Sequence, residues 1–466
     1  MRKLPVPSRP AVLVLALALA GCAVGPSYQR ADVETPVTFK EGRGEWIRAV
    51  PADTLERGPW WALFDDPTLD ELASQVEVSN QNVAAAVARY AQARALVAEQ
   101  RASLFPTVTL DSSANRSGGG GNTPSRASYQ LGIGASWEPD VWGRLSRTVA
   151  SARAGEQASL ADLQAARLSA QGELAIDYLN LRELDAQSAL QEQTIVGFES
   201  SFRIARNRYN AGIAARTDVL QAETQLANAR ADLLGLERQR ATLEHAIAVL
   251  VGKAPANFAL AARPAWQGVV PEVPPDIPST LLQRRPDIAA AERRAAQANE
   301  QIGIAQAAYY PSLRLSGSAG LAAATIGDLF SASALVWSLG ASVAQTLFNA
   351  GATTARVESA RASLDEAAAR YRQTVLAAFQ QVEDQLVASR ILQRQLVLRE
   401  QSAQAANLVE QQVLNRYKAG QVSFTEVVTA QVTAQNARRA VAQALSDRQV
   451  AAVALIQALG GGWRGL

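Results

Sequence analysis

The segment Asn207-Arg208-Tyr209-Asn210-Ala211-Gly212 returns 208 residues later as Asn415-Arg416-Tyr417-Lys418-Ala419-Gly420. The same spacing relates Ser151–Ala154 to Ser359–Ala362, Asn228–Arg230 to Asn436–Arg438, and Gly252 to Gly460. Upstream the spacing is 205, pairing Phe105-Pro106 with Tyr310-Pro311 and Arg89–Ala93 with Arg294–Ala298. Each copy runs to about 170 residues, far beyond the roughly 20–50 of a solenoid repeat. A whole supersecondary module is therefore duplicated, and its copies are expected to occupy equivalent places in one assembly.

Proline placement shows what the module contains. Seven prolines fall between Pro255 and Pro286, which reads as an irregular connector between the copies. None lies between Pro139 and Pro255, and none after Pro311. Proline costs a helix interior about 3 kcal/mol, so these long tracts rich in Ala, Gln, Arg and Leu predict helices. The tract from Gly143 to the Asn210-Ala211-Gly212 break would make a helix of about 100 Å at about 1.5 Å per residue. Gly212 and Gly420 can take positive φ and turn the chain, so a second helix returns and each copy ends in an αα-hairpin.

Before each long helix the period changes to two. Tyr129, Leu131, Ile133, Ala135 and Trp137 alternate with Gln130, Gly132, Gly134 and Ser136; in the second copy Leu335, Trp337, Leu339, Ala341 and Val343 alternate with Val336, Ser338, Gly340 and Ser342. Val108 and Leu110, and later Leu313 and Leu315, begin the same alternation just upstream. An apolar face opposite a small polar one is the signature of a strand, and about 9–11 residues suffice for a tilted membrane-spanning strand. Loops are expected over Asn115–Ser128, with its glycines 118–121, and over Gly320–Ser333. Four strands cannot close a barrel, for which about eight is the minimum, and open edges are not tolerated in lipid. More than one chain must contribute.

The N-terminus carries Arg2, Lys3 and Arg9, an apolar run from Ala11 to Ala20, and Leu19-Ala20-Gly21-Cys22. This predicts a secretory signal whose run is too short to span a bilayer, which needs about 20 residues. Leu-Ala-Gly-Cys further resembles a bacterial lipobox, with lipid on Cys22, the only cysteine of the chain; no disulfide framework is possible. Without the three cationic leader residues the net charge of +2 falls to about −1, so bulk charge gives no reason to expect a nucleic-acid partner. A single histidine, His245, no metal-ligand spacing, no nucleophile motif and no phosphate loop leave no case for an enzyme, and no catalytic or metal-binding residue is expected.

Several motifs in order resemble one family: Gly21-Cys22-Ala23-Val24-Gly25-Pro26; Trp60-Trp61 with Phe64, Asp66-Pro67 and Leu69; Leu282 with Arg284-Arg285-Pro286-Asp287-Ile288; and the two Arg-Tyr-x-Ala-Gly tips. The chain resembles the outer-membrane efflux channels, the TolC/OprM-type outer membrane factors, and their lipoprotein branch. The resemblance implies an α+β membrane protein, a homotrimer with a twelve-stranded β-barrel (four strands per chain) continued by a long α-helical periplasmic barrel. It implies the exit duct of a tripartite efflux system in a Gram-negative outer membrane. That duct would be lipid-anchored, without cofactor, and would work with a periplasmic adaptor and an inner-membrane transporter to pass small molecules. A duct for secreted proteins, or a structural periplasmic coiled-coil lipoprotein, is the alternative. The expected segments are a signal peptide (1–21), a lipidated and equatorial N-terminal part (22–79), repeat one (80–253), a connector (254–285), repeat two (286–460) and a tail (461–466).

The resemblance also assigns places. Arg208, Tyr209, Gly212, Arg416, Tyr417 and Gly420 would meet the adaptor at the hairpin tips. Asp218 and Glu426, equivalent by the 208-residue spacing, would supply carboxylates to a constriction. Clustered like charges of this kind favour cations and bind divalent ions. Thr429 stands where some members place Asp. Arg216 would offer a link for the closed state, whereas its counterpart Phe424 cannot.

Overall fold

The structure is a computed structural model, and it describes residues 24–36, 39–41, 59–118, 125–266, 268–271 and 285–461. Cys22 and the signal segment, the glycines 119–121, Leu282, Arg284 and the tail from 462 lie outside the described residues. The chain divides into two compact units. One comprises Met1–Asp32, Arg89–Leu160 and Ala290–Gln373; the other comprises Val33–Ala88, Ala161–Ala289 and Thr374–Leu466. Each copy of the repeat is divided between both units.

The order of elements is α1 (Pro67–Ser79), α2 (Gln81–Ala102), β1 (Thr107–Ser117), β2 (Arg126–Trp137), α3 (Arg144–Asn210), α4 (Arg216–Leu250), α5 (Pro286–Ala307), β3 (Ser312–Ala323), β4 (Leu335–Ala344), α6 (Ala352–Lys418) and α7 (Phe424–Ala458). Helices α3 and α6 both have 67 residues, and α4 and α7 both have 35. The duplication thus fixes helix lengths, not only motifs. No helix among the described residues is long and apolar enough to cross a membrane.

The first unit holds one antiparallel sheet in the order β1-β2-β3-β4. The strands run further into the expected loops than the alternation suggested: Ser117 pairs with Arg126, and Tyr129 with Ala323. Continuing the ladder satisfies backbone groups that a loop would leave to other partners. Leu110 lies opposite Ile133, Ile133 opposite Ala319, and Ala319 opposite Trp337. Side chains alternate along each strand, so this register lines the large apolar side chains up on one face, with Val336, opposite Gly320, the exception. The other face carries Thr109, Gly134, Ser318 and Ser338, again directly paired. On the apolar face Leu110, Trp337 and Leu339 are 73, 72 and 82% exposed. Both edge strands, β1 and β4, are exposed along their whole length.

At the base of the sheet the Trp142 ring stacks on Tyr310 at 4.8 Å and its Nε1 donates to the Pro311 carbonyl at 2.7 Å. The N-terminal strap starts there: Val24 N–H donates to the Trp142 carbonyl at 3.1 Å. Arg147 then donates to the carbonyls of Gly25 and Pro26. Gly25 has φ +115°, and a Cβ on it would stand 2.5 Å from the Cα of Gly303. Only glycine fits that crossing, which explains Gly25 in the motif beside Cys22.

The second unit is held by buried polar side chains as well as by its apolar core. Trp60, Trp61 and Phe64 are buried beside Asp66. Asp66 caps α1 by accepting from Thr68 N–H at 2.9 Å, and it also accepts from Tyr178 Oη at 2.7 Å and from Arg263. Burial pushes the Asp66 carboxyl up, but the bonds from Tyr178 and Thr68 and the Arg263 charge outweigh it and leave it below its ordinary value. Arg182, 2% exposed, binds Asp185 at 2.7 Å and the Ala261 carbonyl at 2.8 Å, and Arg240 takes the other Asp185 oxygen and the Leu260 carbonyl. These bonds pin the connector to α3 and α4. Arg285 does the same for the second copy, reaching Asp287, Gln381 and the Ala458 carbonyl at the end of α7.

Candidate functional site: the paired hairpin tips

Both tips close with the same hydrogen bonds. Gly212 N–H donates to Tyr209 O and Ile213 N–H to Arg208 O; Gly420 N–H donates to Tyr417 O and Gln421 N–H to Arg416 O, all at 2.9 Å. This is the Schellman ending of a helix, which needs a left-handed residue after the last turn. Gly212 and Gly420 supply it at φ +73° and +77°. A Cβ on Gly212 would meet nothing within 4 Å, so the glycine there serves φ and not space.

The two hairpins of the chain pack on each other at these ends. Ala205, Ala222, Tyr417, Phe424 and Val427 form a buried cluster, with Phe202, Val219, Val413 and Val422 around it. The Tyr417 and Phe424 rings lie 5.4 Å apart at 58°. Arg208 spans the junction: its guanidinium carbon is 4.8 Å above the Tyr417 ring, and one of its nitrogens donates to the Tyr417 carbonyl at 2.7 Å. A cation over an aromatic face gains from the ring's quadrupole. The buried Tyr417 hydroxyl is raised above its ordinary range by burial, although Arg208 lowers it; Asp218 nearby raises it further. Further along the helices Gln431 donates to Ser201 Oγ at 3.0 Å, and the buried Gln191 accepts from Gln435 and Arg439 while donating to the Ala229 carbonyl.

The hairpin and constriction residues singled out in the sequence gather here, but in unlike settings. Tyr209 is 43% exposed, whereas Tyr417 is 3% exposed with its ring against Phe424. Arg416 and Arg216 are exposed. Asp218 sits half-buried in the first turn of α4. Glu426 is exposed, and its carboxylate accepts from Ser423 N–H at 3.1 Å and Ser423 Oγ at 3.2 Å, closing a capping box on α7. Thr429 is exposed and bonds back to the Thr425 carbonyl at 2.9 Å. Asp218 and Glu426 are therefore equivalent in spacing but not in bonding. The Ser423-x-x-Glu426 spacing is a capping-box signature legible in sequence. The buried amide Gln191 carried no such signal.

The profile of the outer membrane efflux protein family matches residues 72–253 and 277–461, two segments that follow the duplication. The outer membrane protein OprJ of Pseudomonas aeruginosa is 30% identical over 459 residues, covering 97% of this chain and 95% of that protein. The cation efflux system protein CusC of Escherichia coli is 27% identical over 452 residues, covering 96% and 98%. Among solved structures, the outer-membrane channel OprN superposes with a TM-score of 0.85 at 32% identity, covering 95% of this chain and all of that one. The open state of the MtrE outer membrane channel of Neisseria gonorrhoeae gives 0.84 at 28% identity, covering 95% and 98%. OprN and MtrE are both outer-membrane channels. A duplicated strand-and-hairpin module, a sheet with one apolar face and this likeness along nearly the whole chain agree: the protein belongs to the outer membrane efflux protein family and is an outer-membrane efflux channel.

Proposed function

We propose that three copies of this chain close a twelve-stranded barrel in the outer membrane, continued by their helices as a periplasmic duct. Through it, small molecules delivered by an adaptor and an inner-membrane transporter leave the cell. The observation that carries this reading is the sheet's register. It gathers Leu110, Ile133, Trp337 and Leu339 on one face and Thr109, Ser318 and Ser338 on the other, while leaving both edges unpaired. In lipid such edges must find partners. The duplication says which ones: β4 of one copy stands to β1 of the next as β2 stands to β3 within the chain.

Cys22 carries the lipid in this reading. Val24 is tied to Trp142 beside the Tyr310 ring, and two residues span at most about 7 Å, so the acyl chains would enter the membrane at the base of the barrel. Arg208, Tyr209, Gly212, Arg416 and Gly420 present the tips to the adaptor, with Tyr417 shaping the surface from below. Asp218, Glu426, Arg216 and Thr429 line the narrow end. The protein acts as a passive gated conduit, with no cofactor and no catalytic step. Detergent extracts of outer membranes test this: a heat-modifiable trimer with single-channel conductance in planar bilayers is expected. A monomer released by removing the lipid anchor alone would refute it.

A further inference from the structure

The strand register also decides which charges enter the bore. In a membrane barrel the apolar face turns to lipid, so the face of Thr109, Ser318 and Ser338 turns inward. That face is a wall of Ser, Thr, Gly, Gln, Asn and Ala, with Val336 its one apolar side chain larger than alanine. Among the described residues it carries three charges: Asp111 on β1, Arg126 on β2 and Arg314 on β3. Arg126 stands at the end of β2 far from the helices, and Arg314 near the start of β3, just after α5. Asp111 lies level with Gly132 and Gly320, about 20 Å along the strands from either arginine at about 3.4 Å per residue. It accepts from Thr109 Oγ1 at 3.0 Å. Arg314 is exposed, and its guanidinium makes no ion pair or hydrogen bond among the described residues. Its cross-strand neighbour is Ser342, and Ser312 and Ser316 flank it on the same face. The carboxylates near this end are engaged elsewhere: Glu138 binds Arg144 at 2.7 Å, and Asp140 accepts from the N–H groups of Leu145 and Ser146. Both neighbours of β3 belong to the same chain, so joining the edges to other copies leaves these surroundings as they are.

We infer that Arg314 makes the periplasmic mouth of the barrel an anion-selective collar, which favours small molecules bearing carboxylate or phosphate over cations. The inference rests on the reading that three copies close the barrel, since only then do three Arg314 side chains share one ring. Twelve strands about 4.8 Å apart and tilted about 40° enclose a backbone radius of about 12 Å. At about 0.01 M salt the Debye length is about 30 Å, so the three cationic fields overlap across the whole bore. At about 1 M it is about 3 Å, and the fields stay at the wall. At physiological ionic strength it is about 8 Å, so Asp111, about 20 Å away, does not cancel the ring. Low-dielectric walls focus such a field and raise the local concentration of counter-ions. Asp218 and Glu426, assigned to the narrow end, carry the opposite sign.

The test is the reversal potential of single channels of the full-length protein in planar bilayers, under a potassium chloride gradient. Asp218→Ala with Glu426→Ala serves as the parent, so that the acidic groups of the narrow end do not mask the collar. Adding Arg314→Gln is expected to lower the chloride-to-potassium permeability ratio several-fold near about 0.01 M salt, and by less than about 1.5-fold near about 1 M. Arg314→Cys in the same parent separates charge from shape. A cationic methanethiosulfonate reagent should restore the ratio, and an anionic one should lower it further. An unchanged ratio after Arg314→Gln, a loss equal at both salt concentrations, or an Arg314→Cys channel that responds to neither reagent overturns the inference alone. A parent protein that stays monomeric and forms no channel overturns it together with the duct reading.

Discussion

Replacing Phe424 by alanine removes the centre of the tip cluster. The side chain is 2% exposed, its ring lies 5.4 Å from that of Tyr417, and it packs among Ala205, Ala222 and Val427. Emptying a buried phenylalanine site costs about 3–5 kcal/mol, and the lower figure suits a helix end where neighbours can relax into the space. The loss does not fall on the whole protein. The cluster closes only the ends of four helices, so the cost appears as local opening, the kind of sub-global unfolding that hydrogen exchange reads. About 3 kcal/mol corresponds to roughly a hundredfold in the opening equilibrium. Amides of residues 202–222 and 413–428 should exchange faster by that factor, while those of the sheet keep their rates. Phe424→Leu keeps most of the volume and should cost less than about 1.5 kcal/mol. Protection at the tips changed less than twofold by the alanine would refute the claim that this cluster holds the hairpins together.

Three other outcomes follow from the same structure. Burial, with Glu173 a turn away, raises the Asp177 carboxyl to about 6; its folded value exceeds the unfolded one, so charging it costs stability that is lost between about pH 4 and 6. Asp177→Asn should therefore raise the melting temperature at pH 7.5 and leave it unchanged at pH 3.5, and an equal shift at both would exclude a titration effect. Asp218→Ala with Glu426→Ala should weaken divalent-ion block of single channels, with most of the change coming from Asp218, because Glu426 is engaged by Ser423; equal effects of the two single variants would contradict that division. Cys22→Ala should abolish lipidation yet leave exported protein in the outer membrane, as fractionation would show, and full release to the periplasm would argue against a barrel.

Much of this was legible in the sequence because the features are periodic or repeated. The long helices start and stop where glycine and proline permit, so Gly143, Gly212 and Gly420 mark the turns; all three have positive φ, as does Gly351, the structural counterpart of Gly143. The strand faces followed from alternation alone, although the ladder consumed part of what composition marked as loop. The asymmetry of the tips was only half legible. Arg216 against Phe424 is visible in sequence, but nothing local says that Tyr417 is buried while its twin Tyr209 is exposed. That follows from which neighbour a single chain happens to supply. The charge network of Arg182, Asp185 and Arg240 was missed for a related reason. Arg182 and Asp185 sit three residues apart on α3, but Arg240 comes from α4 and the remaining partners are connector carbonyls, which carry no sequence signature.

The central claim is that this chain is one third of a closed barrel, and the repeat fixes the missing register. Ser318 pairs with Gly134 within the chain; the repeat carries that pair to Ser113 on β1 of one copy and Ser342 on β4 of the next, an antiparallel pair with the close Cα spacing a disulfide needs. Oxidising Ser113→Cys with Ser342→Cys in outer membranes should give covalent trimers and no larger species, while Ser113→Cys with Gly340→Cys, one pair out of register, should link poorly. Monomers throughout, or equal linking of both pairs, would contradict the account.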